Sequence, residues 1–186
     1  VYKRQLKYCI MKGLLMINLG SPDSTSIPDV KRYLDEFLMD KRVIGKSYLF
    51  RWILVKLIIL NIRPRKSAKA YKKIWWKEGS PLIVLSKRLF NKVTQLLDIP
   101  VALAMRYGSI SIKKGLNELN KKGVKDVLVL PLYPHYAMSS YETVVEKVKE
   151  EKETNFPSLN IDIIPPFYKD KQYIDILLSL IHISEP

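Results

Sequence analysis

Three short segments hold the side chains best suited to chemistry: Asn18-Leu19-Gly20-Ser21-Pro22, Arg106-Tyr107-Gly108 and Leu132-Tyr133-Pro134-His135-Tyr136-Ala137. Arg106 carries a planar fork of donors that matches a carboxylate. An unpaired guanidinium at the end of a buried strand is costly, so it must meet a carboxylate of the protein or of a ligand. Tyr107 and Tyr133 each present a flat ring and a hydroxyl, able to stack on an aromatic ligand or to cap the core. His135 can act as a base, ligate a metal or hold a structural place; without an acidic neighbour within four residues, the structural reading carries more weight. No C-x-x-C or H-E-x-x-H spacing marks a metal site. Neither G-x-G-x-x-G nor G-x-x-x-x-G-K-[ST] occurs, which removes the usual support for nucleotide binding. Lys113, Lys114, Lys121 and Lys122 are most simply solvated surface.

The three segments share a position, because each follows a short apolar run. Lys12 to Asn18 (KGLLMIN) is continuous and closed by Gly20-Ser21-Pro22, the pattern of a strand buried on both faces. Val101 to Met105, Asp126 to Pro131 and Ile161 to Ile164 are three further strands, the last stopped by Pro165-Pro166. Helical stripes lie between them. Ile27, Val30, Leu34, Phe37 and Leu38 make one, with Pro28 in its first turn. Leu82, Leu85, Leu89, Val93 and Leu96 make a second, after Gly79-Ser80-Pro81. Ile112, Leu116 and Leu119 make a third, ended by Gly123 as a left-handed cap. Tyr141, Val144, Val145 and Val148 make a fourth, opened by Ser139 and Glu142 at capping-box spacing. Alternating strands and helices predict right-handed crossovers and a parallel sheet covered on both sides. The expected class is α/β, a Rossmann-like three-layer unit on a four-stranded parallel sheet, with ligands outside the carboxyl ends of the strands.

At 186 residues the chain is one domain, large enough to bury a core without disulfides or a structural metal. A net charge of +14 implies anionic company: nucleic acid, acidic lipid or an anionic small molecule. The aromatics cluster at strand ends and no nucleic-acid motif accompanies the charge, so no specific nucleic-acid partner is expected. Any such association is salt-sensitive and non-specific. A single cysteine forms no internal disulfide and points to a reducing compartment such as the cytoplasm.

One stretch does not fit a plain alternating unit. Tyr48 to Leu60 (YLFRWILVKLIIL) carries only Arg51 and Lys56 as charges, about 140° apart around a helix, so no clean polar face remains. It is too short to span a membrane and suits a buried core helix or an interfacial one. Asn61-Ile62-Arg63-Pro64-Arg65-Lys66 and then Tyr71-Lys72-Lys73-Ile74-Trp75-Trp76 follow. Such a stretch suits a site for a flat, apolar, multiply anionic molecule, or a surface resting on lipid headgroups; the plainer reading is a core helix with a solvated basic turn.

The two ends mirror each other at the level of DNA. Val1 to Gln5 can be encoded as GTGTATAAGAGACAG, whose reverse complement translates as Leu-Ser-Leu-Ile-His, the string found at Leu178 to His182. The shared sequence resembles the transposase end used in preparing sequencing libraries. Residues 1–10 are therefore expected to be a non-native or untranslated leader with Met11 as the start, and residues 178–186 an adaptor-derived scar.

Four motifs together resemble ferrochelatase in order and spacing: GLLMINLGSP at Gly13 to Pro22, AYKKIWWKEGSP at Ala70 to Pro81, MRYG at Met105 to Gly108 and LYPHYAMSS at Leu132 to Ser140. The resemblance covers essentially all of Met11 to Leu177. It implies two similar Rossmann-like halves around a cleft, of which this is the first, and insertion of ferrous iron into a porphyrin, either protoporphyrin IX or coproporphyrin III. Iron and porphyrin are then substrates, and no cofactor is expected in this half. The implied lip of the cleft is Tyr48 to Leu60, which touches membrane in some members, with the cations beside it meeting the propionates.

Carried over residue by residue, Leu19 faces the macrocycle centre, where relatives have Met or Tyr; leucine has no donor atom for iron. Arg63 falls in the basic stretch, Tyr71 and Ser80 in the wall segment, and Arg106, Tyr107 and Tyr133 around the inner pocket. His135 matches a position where relatives have Gln or His, and is not the family's catalytic histidine. That histidine belongs to a Ser-x-His-x-x-Pro segment, with its partner glutamate later still, both beyond Leu177. No catalytic residue and no metal ligand is therefore assigned here, and the fragment alone is expected to be inactive. The implied chemistry is saddling of the porphyrin, deprotonation of its pyrrole N–H groups by the His and Glu pair, and metal exchange onto the ring. Two alternatives stand beside this reading: a non-catalytic, membrane-resting module for tetrapyrrole or lipid, and a cobalt chelatase of the same superfamily.

Overall fold

The computed structural model describes residues 11–184. The expected leader over residues 1–10 lies outside the described residues. Strands β1 (Lys12–Asn18), β2 (Val101–Met105), β3 (Asp126–Pro131) and β4 (Asn160–Ile163) form one sheet in the order β2-β1-β3-β4. All three pairings are parallel, with Leu14 opposite both Val101 and Leu128, and Asp126 opposite Asn160. The central strand, β1, is buried from Gly13 to Ile17, as its unbroken apolar run requires. The fourth strand begins one residue earlier than expected, and the ladder still continues through Ile164 N–H to Val129 O at 2.9 Å.

One face of the sheet is covered by α5 (Ile112–Lys121) and α6 (Thr143–Asn155), whose Ile112, Leu116, Leu119, Val144 and Val148 pack on Leu15, Ile17, Ala102, Ala104, Val127 and Val129. The other face carries α4 (Pro81–Leu96), with Phe90 and Val93 against Leu14, Met16 and Val101. Full cover on both sides is not what forms. Leu128 of β3 points to the second face and is 43% exposed, because the helix there lies over the β2 side of the sheet.

The first helix, α1 (Ile27–Leu38), opens as its sequence predicts, with Pro28 in the first turn and the Ser26 hydroxyl accepting from Asp29 N–H. It does not lie on the sheet. Its apolar face packs instead on a long helix built from α2 (Tyr48–Trp52), a π-helical segment (Ile53–Ile59) and α3 (Leu60–Ile74), burying Val30, Leu34, Leu38, Val55, Leu60 and Ala68 together. The basic segment around Arg63 is thus helix rather than a turn. Proline inside a helix removes a donor and crowds the carbonyl four residues back, here that of Leu60; the wide π turn ending at Ile59 loosens the ladder where Pro64 needs room.

The long helix has two faces after all. Arg51 turns inward and donates to the carbonyls of Lys46 at 2.8 Å and Ile44 at 3.4 Å, while Lys56 pairs with Asp35 at 2.5 Å. Leu49, Phe50, Leu57, Ile58 and Ile62 are left exposed on the outside. No helix among the described residues is long and apolar enough to cross a membrane.

The capping box expected from Ser139 and Glu142 does not form. A π-helical turn, Met138–Glu142, precedes α6 without a side-chain cap. Arg42 and the Tyr136 hydroxyl hold the Glu142 carboxylate, so it does not reach back to Ser139. The last helix, α7 (Lys171–Ser184), runs through the boundary at Leu177 and Leu178 without a break.

Candidate functional site

The segments singled out in the sequence are tied into one surface at the carboxyl ends of β1, β2 and β3. Beyond the strands the ladder continues from Arg106 N–H to Asn18 O at 2.8 Å, from Tyr107 N–H to Leu19 O at 2.9 Å and from Leu132 N–H to Ile17 O at 2.7 Å. Gly20 makes this approach possible. Its φ is +100°, and a Cβ there would lie 2.0 Å from the Tyr107 carbonyl oxygen.

Beneath this surface sits a closed polar network. The Asp40 carboxylate accepts from Arg106 Nη2 at 2.5 Å, from the Tyr107 hydroxyl at 3.0 Å and from the Thr143 hydroxyl. Arg106 Nε donates in turn to Thr143 O and Oγ1 at 3.0 and 2.7 Å, and its guanidinium carbon lies 4.3 Å from the Tyr107 ring centroid. Only 6% of the Asp40 side chain and 13% of the Arg106 side chain is exposed. Burial alone pushes the Asp40 carboxyl up, but Thr143, the Arg42 N–H, Arg106 and Tyr107 together hold it below the usual carboxylate range. Of the two partners open to Arg106, the structure supplies the protein's own carboxylate.

An aromatic cluster adjoins the network. Tyr33 stacks on Phe37 with centroids 6.1 Å apart, and both meet the Tyr107 ring edge-on at 6.4 and 5.3 Å. Tyr107 is almost wholly buried and belongs to the core. Burial pushes its hydroxyl up to about 12 and drives Tyr33 and Tyr133 further up still. Tyr133 packs against the main core, and its buried hydroxyl has no partner among the described residues. An orphaned phenol at a strand end is a polar group awaiting one.

The other expected site residues are more scattered. Ser80, buried at the start of α4, lines a cavity of about 200 Å³ together with Trp75, Met105 and Tyr107. Tyr71 is half-buried against the α1 helix pair, with Trp75 edge-on at 6.1 Å. The Leu19 side chain is half-buried, and its backbone is fixed between Asn18 and Tyr107. Arg63 is exposed on α3. His135 is exposed, stacked at 5.8 Å on Tyr168 and edge-on to Tyr173, which fits the structural reading. No group of His, Cys, Asp and Glu able to hold a metal occurs among the described residues. Asp40, Thr143, Tyr33 and Phe37 were not anticipated. Asp40 lies two residues past a helix and Thr143 at the start of another, and neither position carries a local signal.

The sequence model of the family described as Ferrochelatase matches residues 11–184. This chain belongs to the ferrochelatase family. Among curated relatives, the ferrochelatase of Opitutus terrae is 51% identical over 169 residues, 89% of this chain and 49% of the relative. That of Azotobacter vinelandii is 48% identical over 166 residues, and one from Coxiella burnetii is 44% identical over 172 residues, or 48% of its own length. The chain thus spans about half the length of the ferrochelatases it matches. An α/β unit on an all-parallel sheet agrees with the Rossmann-like chelatase half implied by the four motifs.

Proposed function

We propose that this chain forms one wall of a ferrochelatase that inserts ferrous iron into protoporphyrin IX or coproporphyrin III for haem synthesis. The match of the family to residues 11–184 carries this reading. The surface at the strand ends supports it with a rigid aromatic wall. In this reading Leu19 and Tyr133 face the macrocycle, Tyr71 and Ser80 flank it, and Arg63 meets a propionate. Arg106 and Tyr107 act from beneath, because Asp40 and Thr143 already engage their polar atoms. A flat ring pressed on a wall that cannot yield takes up the distortion itself, which turns its nitrogen lone pairs out of plane.

This wall carries no base for the pyrrole protons. Tyr33, Tyr107 and Tyr133, whose hydroxyls burial pushes above the ordinary tyrosine range, are neutral around pH 7 and do not take up the pyrrole protons. Leu19 offers iron no donor atom. Deprotonation is therefore assigned to the histidine and glutamate of the other half, and the isolated chain is inactive. The exposed apolar residues of Tyr48 to Leu60 form a lip that rests on membrane, which makes the protein cytoplasmic and membrane-peripheral.

The test is to read the source DNA continuously past the codon for Leu177 and to assay the encoded protein anaerobically with Fe²⁺ and each porphyrin. Loss of porphyrin fluorescence by the longer protein, and none by the 186-residue chain, is expected. Metallation by the short chain alone overturns the division of labour. Insertion of Co²⁺ in place of Fe²⁺ overturns the choice of metal.

A further inference from the structure

A second cavity lies apart from the strand-end surface, between residues 24–27 at the start of α1 and the adjoining side of α3. Its volume is about 790 Å³, and it shares no lining residue with the cavity beside Ser80 and Tyr107. The α3 side is Arg65, Ala68, Lys69 and Lys72, with Ala68 buried as the floor and the three cations exposed above it. At 100° per residue the three cations fall within an arc of about 60°, while Arg63 lies about 160° from Arg65, on the opposite side of the helix. The cavity is thus distinct from the surface to which a propionate is assigned.

These cations stand without counter-charge. Among the described residues the side chains of Arg65, Lys69 and Lys72 make no ion pair or hydrogen bond. The nearby carboxylates are already engaged: Asp23 and Asp29 with Arg32 at 2.7 and 2.8 Å, and Asp35 with Lys56. Facing the cations, Ser24 donates to Asp29 and Ser26 accepts from Asp29 N–H, while the Thr25 hydroxyl makes no hydrogen bond among the described residues. Like charges one helical turn apart repel, and an anion among them relieves that repulsion.

We propose that this cavity binds a phosphate group, held by Arg65, Lys69 and Lys72 with the Thr25 hydroxyl. The same long helix exposes Leu57, Ile58 and Ile62 just ahead of the cations, so a phosphate at a lipid surface is the source its placement favours. Free phosphate offers the same chemistry.

Two triple variants separate these sources. R65Q/K69Q/K72Q removes the cavity cations; K92Q/K113Q/K121Q removes three exposed lysines elsewhere and keeps the same net charge as the first. Both are compared with the unaltered chain on vesicles of phosphatidylcholine, with and without phosphatidylglycerol, and by titration calorimetry with inorganic phosphate. Circular dichroism confirms that each is folded. The expected result is binding only to phosphatidylglycerol vesicles, weakened about a hundredfold by R65Q/K69Q/K72Q, roughly fivefold per cation, and much less by the control. Phosphate binding that only R65Q/K69Q/K72Q abolishes, with the vesicle results alike in all three proteins, assigns the cavity to free phosphate. Equal behaviour of the two triple variants with both probes overturns the site.

Discussion

Arg106 and Arg65 are the same residue type under opposite conditions. Arg106 is buried behind the strand ends, where Asp40 and Thr143 take up its donors and the Tyr107 ring lies against its flat face. Arg65 stands in the open on α3 beside Lys69 and Lys72, without a partner among the described residues. The first region is closed on itself and holds a shape. The second leaves apolar side chains and cations unsatisfied by the chain, and its energy is realised against something else. Stability and binding should therefore respond to different substitutions in the two regions.

The sharpest break is expected at Gly20. Gly20→Val places a side chain at a positive φ and against the Tyr107 carbonyl, and should lower stability by about 4 kcal/mol or more in urea unfolding. Next is Asp40→Asn, which strands the buried Arg106 charge and should cost about 3 kcal/mol. The pH dependence has a definite sign. Because the Asp40 carboxyl is held below its ordinary range, its contribution is present at neutral pH and lost as the pH falls through that lowered value, and acid unfolding of D40N should lack this component.

The tyrosines act at the other end of the scale. The Tyr107 hydroxyl titrates near 12 against an ordinary 10.0, so its contribution is intact below 10 and lost as the pH rises toward 12; Tyr107→Phe should flatten alkaline unfolding. The smallest effect on stability is expected on the long helix. Leu57→Ser and Ile62→Ser change exposed residues and should stay within about 0.5 kcal/mol, while weakening partition onto vesicles. A large loss of stability from either would erase the contrast between the regions.

How much of this was legible beforehand differs along the chain for physical reasons. The strands declare themselves as short continuous apolar runs, which burial on both faces requires of β1, and β1, β2 and β3 keep the bounds that those runs predict. The stripe on α1 says that one face is buried but not against what, so its packing on the long helix rather than the sheet was hidden. The basic segment around Pro64 reads as a turn, yet a π-helical segment ends at Ile59 and the helix continues through the proline. Ser139 and Glu142 have the spacing of a cap, yet Arg42, a hundred residues earlier, competes for the carboxylate. At the site, Arg106 was legible as a charge in need of a partner, whereas Asp40 became identifiable only once the fold joined residues 66 positions apart.

The strand order also sets a timetable for synthesis. Emerging first, β1 waits for its neighbours β2 and β3, which leave the ribosome only after α1 through α4 have been made. The two helical layers between can form early, because α1 and α3 are close in sequence, but the sheet can only close late. A nascent chain stopped before Val101 should therefore protect amides of α1 and α3 from hydrogen exchange and leave those of Leu14 to Ile17 open. For all that time a strand whose Gly13 to Ile17 are buried in the folded chain has no sheet to join, and it is a segment in need of a chaperone.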